Sequence, residues 1–418
     1  MTHAPRTGFG VFIRDNAKFL AAGMLISFTS SYGQTFFIAL FADDIMAEYG
    51  LSDGGWGLLY AAATIASAAA MVYAGVLTDR LRVRRLAVFV GLGLAAACLA
   101  MAGAQGLVAL VAVVFALRFL GQGMMSHLSA VAMARWFVAT RGKALAVSAT
   151  GFALGQAVLP VAFVGAEPWL GWRTLWVVAA GLTILAIPAI LTLLRAERTP
   201  QAVAAETVAT GIDARHWTRG EMLRSGTFWA LVPLLLGPPA FGTALFFHQV
   251  HLAAVKGWPL IDYVALLPLL TAVSVAVMLA SGAAIDRIGA ARLMQVYLLP
   301  FALAFLLMGS AETLWGAAIA LTVFGIGTGA QGTLPTAMWA ELYGTRHLGA
   351  IKAMAAAVMV LGSALGPGLT GWVIDRGIDF PGQMTAIALY FLAAGALAAA
   401  ALHRARARLA PEIDVIRA

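Results

Sequence analysis

The stretch GVLTDRLRVRR at residues 75–85 lies between two long apolar runs, and a related stretch, GAAIDRIGAAR, occupies residues 282–292. The first glycine, the Asp-Arg pair and the last arginine of the two stretches superpose at an offset of 207 residues, which is about half of the 418-residue chain. Two similar charged loops at equivalent places in two apolar halves indicate an internal duplication. We therefore expect a membrane protein built from two related halves.

The amino-acid composition indicates a chain that lies mostly in lipid. Hydrophobic residues make up 61% of the sequence and charged residues 11%, which is outside the range of soluble domains. A membrane-spanning helix needs about 20 mostly apolar residues, and lipid requires that the backbone hydrogen bonds be satisfied internally. The sequence thus predicts an all-α polytopic membrane protein with twelve transmembrane helices, at residues 18–43, 55–77, 86–105, 107–133, 144–165, 173–194, 227–252, 263–284, 293–311, 314–337, 349–374 and 383–403.

A polar stretch in the middle of the chain divides these helices into two groups of six. We predict an N-terminal six-helix bundle at residues 1–194, a cytoplasmic linker at 195–226 and a C-terminal six-helix bundle at 227–418. The end of the linker is either a short interfacial amphipathic helix or part of a flexible tether. Gly155 and Pro160 recur after the same 207 residues as Gly362 and Pro367, so the two bundles are expected to be pseudo-symmetric, with an axis along the membrane normal.

The net charge of +8 follows the topology rather than a polyanionic partner. Almost all Arg and Lys residues fall in alternate loops, and only Arg173, Lys256 and Arg376 fall in the others. The positive-inside rule therefore predicts a multi-pass protein of the plasma (inner) membrane with both termini in the cytoplasm. We expect the lipid bilayer as a partner and no nucleic acid. The only cysteine, Cys98, excludes an intramolecular disulfide.

The stretch at residues 75–85 resembles the Gly-x-x-x-Asp-Arg-x-x-x-Arg-Arg motif that members of the major facilitator superfamily carry between helices 2 and 3, with a degenerate copy between helices 8 and 9. The resemblance covers essentially the whole chain. It implies the major facilitator fold, alternating access of two bundles around a midplane site, no cofactor and a monomeric state. It also implies a cytoplasmic gate, in which glycine allows close helix approach and a carboxylate pairs with cations. The gating candidates are Gly75, Asp79, Arg80, Arg85, Arg135, Gly282, Asp286, Arg287, Arg292 and Glu341.

Two ion pairs are expected within this gate. Arg135, at the cytoplasmic end of helix 4, is a candidate partner for Asp79. Glu341 occupies nearly the equivalent place in the second half and is a candidate partner for Arg287 or Arg292. The alternative is that these charges are solvated loop residues that only obey the positive-inside rule, which we favour for Arg82 and Arg84.

Arg118 is the prominent ionisable residue at mid-membrane depth, about halfway along helix 4. An arginine there costs roughly 2.5–3.5 kcal/mol on insertion scales, and no Asp or Glu is predicted at a comparable depth. An anionic substrate is therefore a candidate counter-ion. The segment RFLGQG at residues 118–123 also resembles the helix 4 Arg/Gly motif of the superfamily. A structural role remains open, in which Arg118 donates to carbonyls at a broken helix 1, to Gln34 or to Gln156.

Other polar residues accompany Arg118 on the predicted helices. We expect substrate contacts from Tyr32, Gln34, Gln156, His248 and Gln331 together with Arg118. His127 and His248 are proton-coupling candidates because imidazole titrates near neutral pH. His248 and His251 share a helical face, but no third ligand lies nearby in sequence and we predict no metal site. No nucleophile–base set or phosphate-binding loop occurs, so neither an enzyme nor an ATP-driven pump is expected.

Finer similarities point to one branch of the superfamily. The segment WF at residues 136–137, followed by RGKA at 141–144 and ATG at 149–151, is similar to the signature of monocarboxylate and oxalate/formate transporters. The arginine that this branch carries in helix 8 is missing here. The string DGGWG at residues 53–57 resembles a signature from the start of helix 1 of the branch, but here it opens helix 2 and we assign it no role. We predict proton-coupled transport of a small organic anion such as a monocarboxylate; the alternative is proton-coupled drug or metabolite efflux.

Overall fold

The computed structural model is helical throughout the residues it describes, apart from one isolated backbone bridge between Ile212 and Leu409. These residues are 9–75, 77–137, 140–195, 211–344 and 346–409. The side chains of Asp79, Arg80, Arg141 and Asp286 lie outside the described part, as does most of the predicted linker, residues 196–210.

The described residues form twelve principal helices, which follow one another at the predicted places. They are Phe9–Thr29 (α1), Asp53–Ala74 (α2), Val83–Gly103 (α3), Leu107–Leu117 (α4), Arg141–Leu170 (α5), Trp172–Leu193 (α6), Gly226–Phe247 (α7), Leu267–Ile288 (α8), Leu299–Ser310 (α9), Leu314–Gln331 (α10), Leu348–Ile374 (α11) and Phe380–Arg406 (α12). Shorter helical pieces extend or connect them, at Ser30–Gly33, Thr35–Ile38, Ala39–Phe41, Ala42–Tyr49, Leu77–Arg80, Arg118–Met125, Ser126–Trp136, Arg219–Leu223, Gln249–Lys256, Leu260–Val264, Ala290–Leu293 and Leu334–Tyr343.

The lengths and composition of these helices fit a polytopic membrane protein. Within the described chain, ten helices are long and apolar enough to cross a membrane, and an eleventh span results if Gly10–Gly33 and Thr35–Tyr49, which are bent by 48°, are taken together. The remaining predicted span contains α9, a shorter apolar helix of 12 residues. Pro300 lies in the first turn of α9, where no backbone donor is needed. The predicted all-helical fold is confirmed.

The chain divides into two compact units. Unit 1 contains the described residues up to 41 and residues 63–195, and unit 2 contains residues 42–62 and 211–409. Inside unit 1, α1 packs against α5 and α3 against α6. Inside unit 2, α7 packs against α11 and α9 against α12, which is the same pattern six helices later.

The glycines that revealed the duplication occupy equivalent contacts in the two units. A Cβ built on Gly155 of α5 would lie 2.9 Å from the Ser31 Cβ, just beyond α1. A Cβ built on Gly362 of α11 would lie 2.8 Å from the carbonyl oxygen of Leu236 in α7. Gly155 therefore lets α5 lie close to the segment that follows α1, and Gly362 lets α11 lie close to α7, as small residues do between membrane helices.

Residues 42–62 are grouped differently from the sequence prediction. They were expected in the N-terminal bundle, but their contacts place them in unit 2. A Cβ on Gly57 would lie 2.7 Å from the Pro367 carbonyl oxygen, so the backbone of α2 lies close against α11. The Trp56 ring also stacks on Phe247 at 5.7 Å between centroids. We call residues 42–62 the docked segment.

The described end of the predicted linker is ordered against unit 2. The Ile212 N–H donates to the Leu342 carbonyl at 2.8 Å, and Arg408 forms an ion pair with Asp213 at 2.6 Å. Helix Arg219–Leu223 begins with a capping box between Thr218 and Glu221, which satisfies two backbone donors reciprocally. Over residues 211–226 the chain is therefore a packed connection rather than a flexible tether.

Candidate functional site

The first candidate site lies in unit 1, where a break in the first transmembrane segment faces a distorted turn of the fourth. Ser30–Gly33 form a 3-10 turn after α1, and Gln34 is extended at φ −87° and ψ 153°. Arg118–Met125, which continues α4, is π-helical. Such turns are rare and occur mostly as short bulges at functional sites.

Glycines bring these two segments into contact. A Cβ built on Gly121 would lie 2.6 Å from the Gly33 Cα, and one built on Gly33 would lie 2.7 Å from the Gly121 Cα. Both distances are far below the roughly 3.5–4.0 Å of a normal carbon–carbon contact. The approach therefore requires glycine at both positions, and it carries the side chain of Arg118 to the break.

Arg118 is 1% exposed and donates hydrogen bonds to oxygens around the break. Its Nε donates to Thr64 Oγ1 at 3.2 Å, and its Nη1 donates to the Gly33 carbonyl at 3.2 Å and to Thr35 Oγ1 at 3.3 Å. The contact with Gly33 is the role at a broken helix 1 that the sequence left open. Because the chain turns at residues 30–33, the Gly33 carbonyl becomes available as an acceptor for this guanidinium.

The other predicted residues of unit 1 surround the same break. Gln34 Nε2 donates to Ser126 Oγ at 3.3 Å, directly after the π-helical turn. Gln156 is half-buried on α5, next to the glycine that lies against Ser31. Tyr32 is buried among aromatic rings, with its centroid 5.2 Å from that of Phe37. Gln34 and Gln156 therefore flank the break, whereas the Tyr32 ring packs in the core.

His248 belongs to a second polar cluster, in unit 2. Its Nδ1 lies 3.7 Å from Oδ1 of Asp53, and Nδ1 of His251 lies 3.7 Å from the same oxygen. On the other side of the ring, His248 Nε2 lies 2.9 Å from Thr370 Oγ1 and 3.3 Å from the Pro367 carbonyl. His248 is 2% exposed. Gln331, also in unit 2, is half-buried at the end of α10.

The predicted substrate-contacting residues thus belong to two groups, one in each unit. Arg118, Gln34 and Gln156 lie around the break in unit 1, while His248 and Gln331 belong to unit 2. A single substrate site that uses both groups stays a prediction. Among the described residues, no group of three His, Cys, Asp or Glu side chains is arranged to hold a metal ion.

The repeated loop motif has well-defined contacts in unit 1. The Thr78 hydroxyl donates to the Gly75 carbonyl at 2.7 Å and lies 3.4 Å from Nε2 of His127. Arg135 Nη1 donates to the Thr78 carbonyl, one residue before Asp79. His127 therefore belongs with the motif and not with the Arg118 break. The predicted pairing of Arg135 with Asp79 stays a prediction, because the Asp79 and Arg80 side chains are outside the described part.

The first glycine of each copy of the motif has no close contact with a neighbouring helix in this structure, and its expected role in the gate stays a prediction. A Cβ on Gly75 would lie 3.0 Å from the Met71 carbonyl oxygen of the preceding turn and 3.7 Å from His127 Nε2, and one on Gly282 would meet nothing within 4 Å. The second stretch instead requires Gly289, whose φ of +88° is in the left-handed region, where α8 ends. Arg85, Arg287 and Arg292 are exposed.

Glu341 also differs from its predicted pairing. Its Oε2 accepts a hydrogen bond from the Ala291 N–H at 3.0 Å, in the turn that begins helix Ala290–Leu293. In the described chain no ion pair joins Glu341 to Arg287 or Arg292. A carboxylate at a helix start satisfies an otherwise free backbone donor, so Glu341 holds the loop through its backbone rather than through a guanidinium.

Sequence reasoning missed several members of both clusters. Thr35 and Thr64 resemble any other threonine in a membrane helix, and only the fold brings them to Arg118. Asp53 was assigned no role although it contacts two histidines. The His-x-x-His spacing was visible in the sequence, but an acidic residue at a helix start is common and gave no signal that it faces these histidines.

Comparisons with known proteins agree with this fold. The family model described as Major Facilitator Superfamily matches residues 23–309, more than half of the chain. No curated protein sequence matches significantly. Among solved structures, a bacterial homologue of the human lysosomal transporter Spinster, inward-facing and unoccupied, is similar with a TM-score of 0.69 at 17% identity, over 95% of this chain and 99% of that one. The nucleoside transporter NupG is similar with a TM-score of 0.66 at 13% identity, over 94% of this chain and 98% of that one. The chain belongs to the Major Facilitator Superfamily, a family of membrane transporters.

Proposed function

We propose that this protein is a secondary active transporter that moves a small organic anion, such as a monocarboxylate, by alternating access and with protons as the coupling ion. The observation that carries the proposal is the buried guanidinium of Arg118 at the break of the first transmembrane segment. In the orientation that the positive-inside rule predicts, both termini are cytoplasmic and the protein resides in the inner membrane.

The hydrogen bonds of Arg118 favour an exchangeable partner. Charge-assisted N–H···O bonds typically measure about 2.7–2.9 Å, whereas those from Arg118 to Thr64, Gly33 and Thr35 measure 3.2–3.3 Å and end on neutral oxygens. A carboxylate can accept two short parallel bonds from one guanidinium. An anion would therefore bind Arg118 more strongly than these oxygens do, and its charge would offset the cost of the buried cation.

The surroundings of Arg118 favour a small substrate with a second polar group. The Thr35 and Thr64 hydroxyls lie on either side of the guanidinium and can each donate or accept a hydrogen bond. A hydroxyl or keto oxygen next to the carboxylate would match this pair. An apolar cation, the usual cargo of drug efflux, would meet an arginine and is disfavoured on charge.

The experiment is uptake by purified protein in proteoliposomes under an imposed proton gradient. We expect accumulation of labelled lactate, pyruvate or oxalate, and we expect Arg118→Lys to abolish it because an ammonium lacks the planar fork. Arg173→Lys is the matched control. Arg173 is also a partly buried arginine of unit 1, but it donates to the Ala102 and Ala104 carbonyls at the end of α3, so this variant should retain uptake.

The results separate the two candidate functions. Uptake that persists in Arg118→Lys with an unchanged KM would refute the role of the guanidinium. Absence of uptake for every acid, together with drug resistance on expression, would favour the efflux alternative. Thermal stabilisation of the purified protein by a panel of organic acids identifies the substrate class independently of the direction of transport.

A further inference from the structure

The cluster of Asp53, His248 and His251 fastens a distinct piece of chain to unit 2. Asp53 begins α2 within the docked segment, while both histidines belong to the region where α7 ends and helix Gln249–Lys256 begins. At both of its ends, after residue 41 and before residue 63, the docked segment continues into unit 1. Contacts that hold it on unit 2 are therefore candidates for a conformational control.

The hydrogen-bond pattern around His248 determines where its proton lies. The Thr370 hydroxyl donates to the Gly366 carbonyl at 2.8 Å, so its oxygen accepts from His248 Nε2. The Pro367 carbonyl, 3.3 Å from the same nitrogen, can only accept. We therefore assign the ring hydrogen to Nε2, which then donates to both oxygens. A neutral His248 then has a lone pair on Nδ1, and this lone pair faces the Asp53 carboxylate.

Two acceptors face each other at this point. Nδ1 of His248 and Oδ1 of Asp53 lie 3.7 Å apart, beyond hydrogen-bond distance. A single proton placed between them converts this repulsive contact into a hydrogen bond. It also makes the pair electrically neutral, whether it resides on the imidazole or on the carboxyl group, which lowers the cost of partly burying a carboxylate beside a buried ring.

We propose that Asp53 and His248 together bind one exchangeable proton, and that this proton holds the docked segment on unit 2. The proton comes from solvent and returns to solvent. Its binding is stronger when the segment is docked, since only then do the two acceptors face each other. By linkage, docking is favoured as the pH falls and weakened as it rises.

His251 also faces the Asp53 carboxylate. Its Nδ1 lies 3.7 Å from the same Asp53 oxygen, while its Nε2 is buried without a hydrogen-bond partner among the described residues. A neutral His251 avoids a buried orphan N–H by carrying its hydrogen on Nδ1, directed at Asp53. At 3.7 Å this nitrogen, like His248 Nδ1, lies beyond hydrogen-bond distance of the Asp53 oxygen.

Charged and aromatic groups from the neighbouring elements surround the pair. Asp43, on helix Ala42–Tyr49 beside Asp44, interacts electrostatically with Asp53 and His251. Asp375, at the end of α11, accepts from Ser52 Oγ at 2.8 Å and from the Gly54 N–H at 3.2 Å. From α12 the ring of Phe380 faces His248, and Asp379 caps its own helix at the Gly382 N–H.

This inference deepens the proposed function, because it rests on proton coupling and assigns the coupling proton to residues of unit 2. Its test, however, uses no substrate. Ile45 is fully buried in the docked segment, so a cysteine introduced there reports release of that segment. The only native cysteine, Cys98, is buried and is replaced by alanine in the background.

The experiment measures the rate at which a membrane-impermeant maleimide labels the Ile45→Cys variant of the full-length protein in nanodiscs. Rates are measured at pH values between 5.5 and 8.5 and are corrected for the pH dependence of labelling of a free thiol. We expect labelling to accelerate with pH by up to about tenfold per unit, the limit for one linked proton. Asp53→Asn and His248→Gln should each remove the pH dependence, because each substitution removes one of the two groups that together bind the proton. His403→Gln, at an exposed histidine on α12, should leave it unchanged.

The outcomes are distinct from those of the uptake experiment. Labelling that is independent of pH in the background protein, or a pH dependence that persists in both Asp53→Asn and His248→Gln, would overturn the proton site. If either result accompanies Arg118-dependent uptake, the proposed function stands and only the inference fails. If labelling follows the expected pattern but no acid is taken up, the proton site stands without an anion substrate.

Discussion

Substitution of Gly121 by alanine should disrupt the break that holds Arg118. The added methyl group would lie 2.6 Å from the Gly33 Cα and 2.7 Å from the Gly33 nitrogen. Both are backbone atoms, so no side chain can rotate away. To reach a normal contact of about 3.5 Å the two segments must separate by roughly 1 Å.

The cost of this separation follows from two contributions. Overpacking a well-packed position costs about 1–3 kcal/mol. The same movement stretches the bond from Arg118 Nη1 to the Gly33 carbonyl from 3.2 Å to about 4 Å, beyond hydrogen-bond distance, and a bond to a charged group is worth about 1.5–3 kcal/mol. We expect Gly121→Ala to lower the free energy of unfolding by at least about 2 kcal/mol.

The assay is unfolding in mixed micelles, followed by the fluorescence of the native tryptophans. Gly181→Ala is the matched control, because Gly181 lies within α6 and a Cβ there would meet nothing within 4 Å. This control should be neutral or stabilising by about 0.5–1 kcal/mol through helix propensity. Equal stability of Gly121→Ala and Gly181→Ala would refute the argument that the break depends on a glycine contact.

Two further predictions concern the edges of the units. Arg173→Ala should lower the free energy of unfolding by about 1.5–3 kcal/mol, because the Ala102 and Ala104 carbonyls lose a charged donor; a change below about 0.5 kcal/mol in the same micelle assay would contradict this. The Asp213 carboxyl accepts a hydrogen bond from Arg408, which lowers its pKa. The ion pair should therefore be present at neutral pH and lost as the pH falls below the usual aspartate range near about 4. Acid-induced exposure of Trp217 to a collisional quencher would show the loss, and Asp213→Asn should show that exposure already at pH 7.

The sequence predicted the helices well because their signal is local. An apolar run of sufficient length must form a membrane helix wherever it lies in the fold, and the 207-residue offset related Gly155 to Gly362 without any knowledge of their contacts. Arg118 was identifiable for the same reason, since a cation in such a run is expensive. Its role at a broken first helix was among the alternatives that the residues suggested, and the Gly33 carbonyl is indeed one of its acceptors.

Pairings between distant residues were not accessible in this way. Asp53 and His248 are far apart in the chain, and their contact depends on the close approach of the docked segment to α11. The residue composition near Glu341 indicated a charged loop but not whether a backbone amide or a guanidinium would face its carboxylate.

Sequence alone thus determined the class of protein, the number and order of its membrane helices, and the presence of one costly buried arginine, because each of these follows from hydrophobicity and charge along the chain. Only the tertiary structure decided which glycines are essential, which oxygens hold Arg118, and that Asp53 faces two histidines. These features depend on the distances between backbone segments that pack together within a unit. The order of residues along the chain does not determine those distances locally.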